Sequence, residues 1–550
     1  MPNEAKAVMK QSCNEHDESC AFPAPAGVAA ARRERRSVRA FMALICVAYL
    51  AHVYVYNYVC DDTFISMRYA RNLAEGHGLV FNPGDRVEGF TSPLWTLLLA
   101  GIHWLGGDLL LWARLLGVIA GLCTIMLSYR LAALCTAQRL PPIMATLPPL
   151  ILAANGSFAC WSASGMEAVP YVCLVLASFV AICAGRLPAA AGLSIAVVLT
   201  RPDSFVLLPV FGTFLLLQHP RNGLKPTVGW FIACGAAIAA LFLARFLYYG
   251  DWLPNTYYAK VGGGLHAAVR GIRYLREYAA DHEGLILIML PLLYYGVLRG
   301  TIRQRFLAAG VAALWLGTVL VGGDGLPMYR FALAPMPLLA VLHAHLIAEL
   351  YGAVLGSASH RWKQDTAVGV ATLLLISVHA TKPLAGYHYK RYADQQLEIT
   401  WWTNAGKWFA RNAKEHESIA AVPIGAVSYY ARIRVFDMLG LTDRHIAHRD
   451  CPSMGTGWAG HEKSDGPYIL GRRPTYLLLG NIDVTDQPRD PTKRPFIPYR
   501  SMPVWQRERD IYSTGEIYSL YKPRSVRIAP GQYLNFYELR EEYRSAPDTP

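Results

Sequence analysis

Long apolar runs separated by short polar stretches set the pattern of this chain. Phe41 to Tyr58, Leu109 to Leu134, Ala168 to Ala184, Val228 to Tyr249, Leu285 to Leu298, Phe306 to Val321, Phe331 to Leu350 and Thr366 to Ala380 each read as a helix that avoids water. Shorter runs lie at Leu94 to Leu105, Ile143 to Ala154, Leu187 to Leu199 and Phe205 to Leu217. A hydrocarbon core of about 30 Å needs about 20 apolar residues at about 1.5 Å of rise each. The pattern therefore predicts a polytopic α-helical membrane protein with about 11 to 13 transmembrane helices.

Basic loops orient the spans. Arg32, Arg33, Arg35 and Arg36 precede the first run, and Arg221 with Lys225, Arg299 to Arg305 and His360 to Lys363 follow the same side. These loops read as cytoplasmic, so Gly250 to Glu283 and Gly322 to Met328 face outward. An inside N-terminus with an outside C-terminus requires an odd number of crossings. Leu94 to Leu105 is the weakest run, so 11 spans are expected, with 13 as the alternative. Residues 1–38 read as a disordered basic cytoplasmic tail, 39–381 as the transmembrane domain, and 382–550 as a soluble α/β domain on the periplasmic face. In that last part the short apolar runs Ile419 to Val422 and Tyr476 to Leu479 sit between turn signals, as strands do.

Composition agrees. Hydrophobic residues make up 53% of the chain and charged ones 17%, against roughly 25% charged in soluble domains. The mean hydropathy is +0.23. The net charge of +13 fits positive-inside loops and a basic tail; its scatter among membrane loops argues against nucleic acid as a partner. The first apolar run begins too late, and lacks the small-residue site, for a cleaved secretory signal. Of the 11 cysteines, Cys60, Cys160 and Cys451 fall on the outer side, where a disulfide among them could form. No cysteine spacing matches a metal site.

The first outer loop, residues 58–93, concentrates chemistry. It opens Cys60-Asp61-Asp62-Thr63, continues through Arg68, Arg71 and Asn72, then Gly76-His77-Gly78 and Phe81-Asn82, and closes Glu88-Gly89-Phe90-Thr91-Ser92-Pro93-Leu94-Trp95. One of two adjacent carboxylates can take a proton from a hydroxyl while the other tunes it or shares a cation. Arg68 and Arg71 follow within two helical turns and suit a phosphate. The plain alternative is that Asp62 only caps a helix over Thr63 to Ala74. Glu167, Arg201, Asp203, Asp251, Lys260, Asp324 and Arg330 stand at predicted outer membrane boundaries, where charges tend to face a cavity or each other. His461, beside Glu462, could contact an acceptor or a metal; a solvated loop histidine is its ordinary reading.

The stretch from Asp61 to Trp95 resembles the first periplasmic loop of GT-C membrane glycosyltransferases, most of all the bacterial terminal arabinofuranosyltransferases of the mycobacterial "B" type. Ser164-Gly165-Met166-Glu167, Thr200-Arg201-Pro202-Asp203, Tyr249-Gly250-Asp251-Trp252, Gly322-Gly323-Asp324-Gly325, Tyr329-Arg330-Phe331, Asp437-Met438-Leu439-Gly440 and Gly460-His461-Glu462 resemble further blocks of that family. The resemblance implies a GT-C-like fold and a catalytic base at Asp61 or Asp62. It implies a polyprenyl-phosphate sugar donor, arabinofuranose first among the sugars, and an envelope glycan or protein as acceptor. Arg68, Arg71, Glu88, Glu167, Arg201, Asp251, Lys260, Asp324, Arg330 and His461 are then expected at the substrates, with Lys260, Arg201 and Arg330 holding the phosphate. Some GT-C enzymes use a divalent cation, but no ligand set for one is legible here. The setting implied is the bacterial inner membrane. A transporter of lipid-linked sugars, or an envelope protein that binds glycan, are the rival readings; boundary charges and a large outer loop favour the enzyme.

Overall fold

The computed structural model describes residues 26–135, 142–218, 220, 223–282, 284–354, 386–498 and 506–544. Helices form over the described apolar runs, and also over polar stretches such as Asp61 to Ala74, Gly386 to Asn412 and, within the expected outer loop, Leu265 to Asp281. They are α1 (Ala26–Tyr56), α2 (Asp61–Ala74), α3 (Pro93–Trp104), α4 (Leu109–Leu134), α5 (Leu147–Ala154), α6 (Gly156–Ser162), α7 (Ala168–Cys183), α8 (Leu187–Thr200) and α9 (Leu207–Leu217). There follow α10 (Leu224–Tyr249), α11 (Asn255–Lys260), α12 (Leu265–Asp281), α13 (Leu285–Leu293), α14 (Ile302–Leu320), α15 (Met336–Val354) and α16 (Gly386–Asn412). Local signals set the ends. Asp108 accepts the Leu111 N–H to open α4, Thr301 and Gln304 form a reciprocal cap at α14, and left-handed Gly250 closes α10.

Among the described residues, Arg32–Tyr56, Leu109–Leu134 and Leu224–Tyr249 are long and apolar enough to cross a bilayer singly, and α12 with α13 adds a pair bent by 103°. Other apolar helices, such as Ala168–Cys183 and Leu187–Thr200, are shorter. Among the described residues, the expected crossings are thus not all long single helices. Large side chains on the long helices, such as Leu50, Leu111, Ile119, Ile232 and Leu247, face outward. Apolar surface of this extent suits lipid and not water, and the chain is an integral membrane protein.

Two expectations are corrected. Residues 26–38 are helical, because Ala26 to Arg39 continue the helix of the first apolar run, so Arg32 to Arg36 lie on α1 and not in a disordered tail. Cys60, Cys160 and Cys451 are free thiols. Residues 1–25, His360 to Lys363 and Thr366 to Ala380 lie outside the described residues.

The C-terminal part adds a mixed sheet. Its strands are β1 (Ser418–Ala421), β2 (Arg434–Asp437), β3 (Tyr476–Leu477), β4 (Val484–Thr485), β5 (Tyr521–Ala529) and β6 (Gln532–Leu539), and a short helix, α17 (Ala426–Ala431), joins β1 to β2. The order is β2-β1-β3-β6-β4, with β5 also on β6. β1 pairs in parallel with β2 and β3, whereas β6 runs antiparallel to its partners.

Packing ties this sheet to the first outer loop. Phe64, Tyr69 and Phe81 share one buried cluster with Phe409, Ile419, Val427 and Phe536. Each such side chain removed from water contributes about 1.5–3 kcal/mol, so α2 is clamped on the face toward the C-terminal sheet. On its membrane side, Ser164 O accepts the Cys60 N–H at 3.1 Å and the Thr63 hydroxyl at 2.8 Å. Gly165 makes that approach feasible: its φ is +81°, and a Cβ there would press on Thr63.

Candidate active site

The adjacent aspartates of α2 part company in the fold. Cys60, not Asp62, occupies the cap position, and α2 begins at Asp61. Both oxygens of Asp61 are engaged: Oδ2 accepts the Gly425 N–H at 2.9 Å and Oδ1 the Ala426 N–H at 2.7 Å. Asp61 thereby caps α17, a helix more than 360 positions away. Burial, with the charge of Asp62 adding to it, pushes the Asp61 carboxyl up to about 7 against the pull of those two N–H groups. Between the membrane helices and the C-terminal sheet, Asp61 borders one open space, whereas Asp62 lines two.

Two cavities meet there. One, of about 400 Å³, runs among α2, α10, α11 and the loops before α7, α9 and α15; Asp62, Glu167, Arg201, Arg245, Lys260, Asp324 and Arg330 line it. Its far wall is apolar, with Phe205, Leu241 and Phe242. The second, of about 120 Å³, opens toward α16 and the sheet and is lined by aromatic and polar groups including Trp402, Trp458, His461 and Asn481. Asp62, Lys260, Asp324 and Arg330 line both.

The charges are mostly paired. Arg330 holds Asp324 through Nε at 2.9 Å and Nη2 at 3.0 Å, and its Nη1 lies 4.0 Å from Asp62. Burial disfavours that guanidinium's charge, but Asp324, Asp62 and Glu167 outweigh it and hold its pKa above the ordinary value. Arg201 is spent on Asp203 at 3.1 Å and Glu167 at 3.3 Å. Lys260 makes no hydrogen bond or ion pair among the described residues, and its stem packs on Gly460. His461 stacks on Trp458 with centroids 4.9 Å apart. Its Nδ1 faces the Ala459 carbonyl at 3.2 Å and must carry the proton, which leaves Nε2 as an acceptor. Burial pushes this imidazole down to about 4, so it is neutral at pH 7.

Four expected residues line neither cavity. Arg68 is buried and donates to the carbonyls of Phe81, Ser428 and Ile433 and to Asn82 Oδ1, so it fastens the loop to the sheet and is not available to a phosphate. Arg71 lies on the opposite face of α2, stacked over Tyr429. Asp251 pairs with Arg444 at 2.9 Å outside both cavities. Glu88 does not line either cavity but grips Arg245, with Nε at 2.6 Å and Nη2 at 3.2 Å from its carboxylate. Arg245 is the residue the sequence reading missed. Its signal was present: it is the ionisable residue inside the apolar run Val228 to Tyr249, and such residues are functional candidates by default.

Among the described residues no group of three or more His, Cys, Asp or Glu side chains is placed to hold a metal ion. Asp62 and Asp324 flank the Arg330 guanidinium instead, so these described carboxylates do not by themselves supply a cation's ligand set.

Sequence comparison bears on this site. Residues 387–529 match a family described as a domain of unknown function, DUF8728. A terminal β-(1→2)-arabinofuranosyltransferase of Mycobacterium tuberculosis is 48% identical over 52 residues, 10% of this chain and 8% of that protein. The Corynebacterium glutamicum enzyme of the same name is 27% identical over 332 residues, 54% of this chain and 45% of that protein. The chain therefore spans less than half the length of these relatives. It is arabinofuranosyltransferase-like in sequence, as its motifs suggested. Among solved structures, Cupriavidus metallidurans ArnT bound to undecaprenyl phosphate aligns with a TM-score of 0.46 at 13% identity, over 72% of this chain and 85% of that one. An Archaeoglobus fulgidus oligosaccharyltransferase in complex with zinc and sulfate aligns with a TM-score of 0.46 at 13% identity, over 72% and 62%.

Proposed function

We propose that this chain is a GT-C-like membrane glycosyltransferase that moves arabinofuranose from a polyprenyl-phosphate donor to an envelope glycan or protein, with Asp62 as the general base. The observation that carries the reading is the position of Asp62, a carboxylate at the junction of a partly apolar cavity and a polar, aromatic one. The likeness to terminal arabinofuranosyltransferases supports the sugar.

In this reading the donor lies in the larger cavity, its prenyl chain along Phe205, Leu241 and Phe242. Its phosphate meets Lys260 and the Nη1 of Arg245, whose one partner among the described residues is the Trp252 carbonyl at 3.4 Å. The acceptor lies in the smaller cavity against Trp458 and His461. Its hydroxyl gives a proton to Asp62 as the oxygen attacks the anomeric carbon. The carbon–oxygen bond to phosphate breaks, the configuration inverts, and polyprenyl phosphate leaves with the electron pair. Arg330 steadies the changing charge on Asp62 without quenching it, because Asp324 holds most of its guanidinium. The site faces the periplasm across the bacterial inner membrane; 39–381 forms the membrane part with the N-terminus cytoplasmic, and 382–550 the outer domain.

The test is transfer of radiolabelled arabinofuranose from decaprenyl-phosphoryl-arabinose by the purified full-length chain. Transfer that Asp62→Asn abolishes while donor binding persists supports the reading. Absence of transfer from this and every other polyprenyl-phosphate sugar overturns it.

A further inference from the structure

The opposite face of α2 borders a third space. Asp62, Ile65 and Ser66 turn toward the catalytic cavity, whereas Met67 and Arg71 line a groove of about 670 Å³ between α1, α4 and α17. The separation follows from helical spacing: residues 62, 65 and 66 share one face, and 67 and 71 the other. This groove is therefore distinct from the site of transfer.

Its walls and rim have different chemistry. The walls are Leu50, Val53, Tyr54, Leu111, Leu115 and Val118, from two helices long and apolar enough to span a bilayer. Tyr54 is 83% exposed and Leu111 55%, so the groove opens sideways toward lipid. The rim carries Arg71, Arg114 and Arg432 against a single lining acid, Asp108. Asp108 is engaged with the Leu111 N–H at 2.7 Å. Glu75, a turn beyond Arg71, faces His77 and His103. Arg71 uses Nη1 on the Tyr429 carbonyl at 2.8 Å, and Arg114 uses Nε on the Ala163 carbonyl at 3.1 Å and Nη2 on Asn57. Among the described residues, both keep N–H groups without a partner. The exposed side chain of Arg432 makes no bond or ion pair among the described residues. Arg71 and Arg432 are close enough to repel, a cost that an anion between them removes.

We propose that this groove is a binding site for an anionic phospholipid, its phosphodiester held by Arg71, Arg114 and Arg432 and its acyl chains laid between α1 and α4. Charge complementarity selects the headgroup, and the lateral opening between apolar helices selects an amphiphile over a free ion. Because Tyr429 and Arg432 belong to α17 and its end, the lipid bridges the C-terminal sheet to the membrane helices. It acts as a structural clamp behind the catalytic helix.

The experiment uses the delipidated full-length chain in neutral detergent, with phosphatidylglycerol, phosphatidylcholine, undecaprenyl phosphate and inorganic phosphate as separate probes. Thermal unfolding and native mass spectrometry are the readouts. Phosphatidylglycerol is expected to raise the melting temperature and remain as an adduct, whereas phosphatidylcholine and inorganic phosphate do neither. Arg432→Gln removes no internal bond, so its lipid-free melting temperature should equal the wild type's, while its affinity for phosphatidylglycerol falls about fivefold. Leu111→Asp, in the first turn of α4 where an acid suits the helix, should repel the same headgroup. Equal response to phosphatidylcholine, undisturbed phosphatidylglycerol binding by both variants, or displacement of phosphatidylglycerol by equimolar undecaprenyl phosphate or by inorganic phosphate would overturn the proposal.

Discussion

The carboxylate of Asp61 reaches across 364 positions of sequence to accept the Gly425 N–H at 2.9 Å. That contact binds the C-terminal sheet to the first outer loop, and it separates two aspartates that are neighbours in sequence. Asp61 has spent its oxygens on α17, while Asp62 keeps its own for the cavities.

The two residues should therefore fail differently. Asp62→Asn is expected to lower transfer by about 10²–10⁴-fold, the usual contribution of a general base, with an unchanged melting temperature. Asp61→Ala leaves two buried N–H groups without a partner, each worth about 1–3 kcal/mol, and should lower the melting temperature first. Initial rates beside thermal unfolding of both variants separate the roles.

Gly425→Ala offers a second test of the same junction. A Cβ there would overlap the carbonyl and the carboxylate of Asp61. Overpacking of this kind costs about 1–3 kcal/mol, and the expected result is a lower melting temperature with α17 displaced. An unchanged melting temperature would count against the tight approach.

Lys260 is expected to act through the donor. Lys260→Gln should raise KM for the polyprenyl-phosphate sugar by roughly ten- to hundredfold, since a charge-assisted contact is worth about 1.5–3 kcal/mol, and Lys260→Arg should recover part of the loss. Acceptor KM should not move. Steady-state kinetics with each substrate varied in turn distinguish these outcomes.

Glu88 and Arg245 form a pair in which each side chain is only 4% exposed. Glu88→Gln strips the guanidinium of its charge partner and should destabilise the chain by about 3–5 kcal/mol. The double change Glu88→Gln with Arg245→Met should be milder on stability yet still impair donor binding. A double-mutant cycle read by unfolding and by donor affinity tests both parts.

His461 sets a pH dependence. Its folded pKa is pushed down to about 4 by burial, below the ordinary histidine value of about 6.5. A histidine harder to protonate when folded stabilises the chain fully above pH 6.5, and that contribution is lost as pH falls toward 4. Asp61, raised to about 7, acts in the opposite sense over much of the same window but is common to wild type and variant. His461→Gln should therefore lose less stability than the wild type between pH 6.5 and 4 and track it above pH 7. Melting temperatures across that range decide it.

The sequence by itself determined the helices and the chemistry available. Apolar runs located α4 to the residue and α7, α8 and α10 to within a few, because burying or lipid-facing periodicity is written into consecutive positions. The motifs also brought Asp62, Glu167, Arg201, Lys260, Asp324, Arg330 and His461 to one place, since charges beside hydrocarbon gather around a cavity. Tertiary structure decided what each residue is free to do. Nothing in Asp61-Asp62 says which carboxylate will meet Gly425, nothing in Arg68 says that the chain's own carbonyls will claim it, and nothing in Arg71 says that it will line the groove on the far face of α2. Those assignments depend on contacts hundreds of residues apart, formed when the C-terminal sheet closes over α2, and a linear pattern carries no record of which distant backbone groups arrive there.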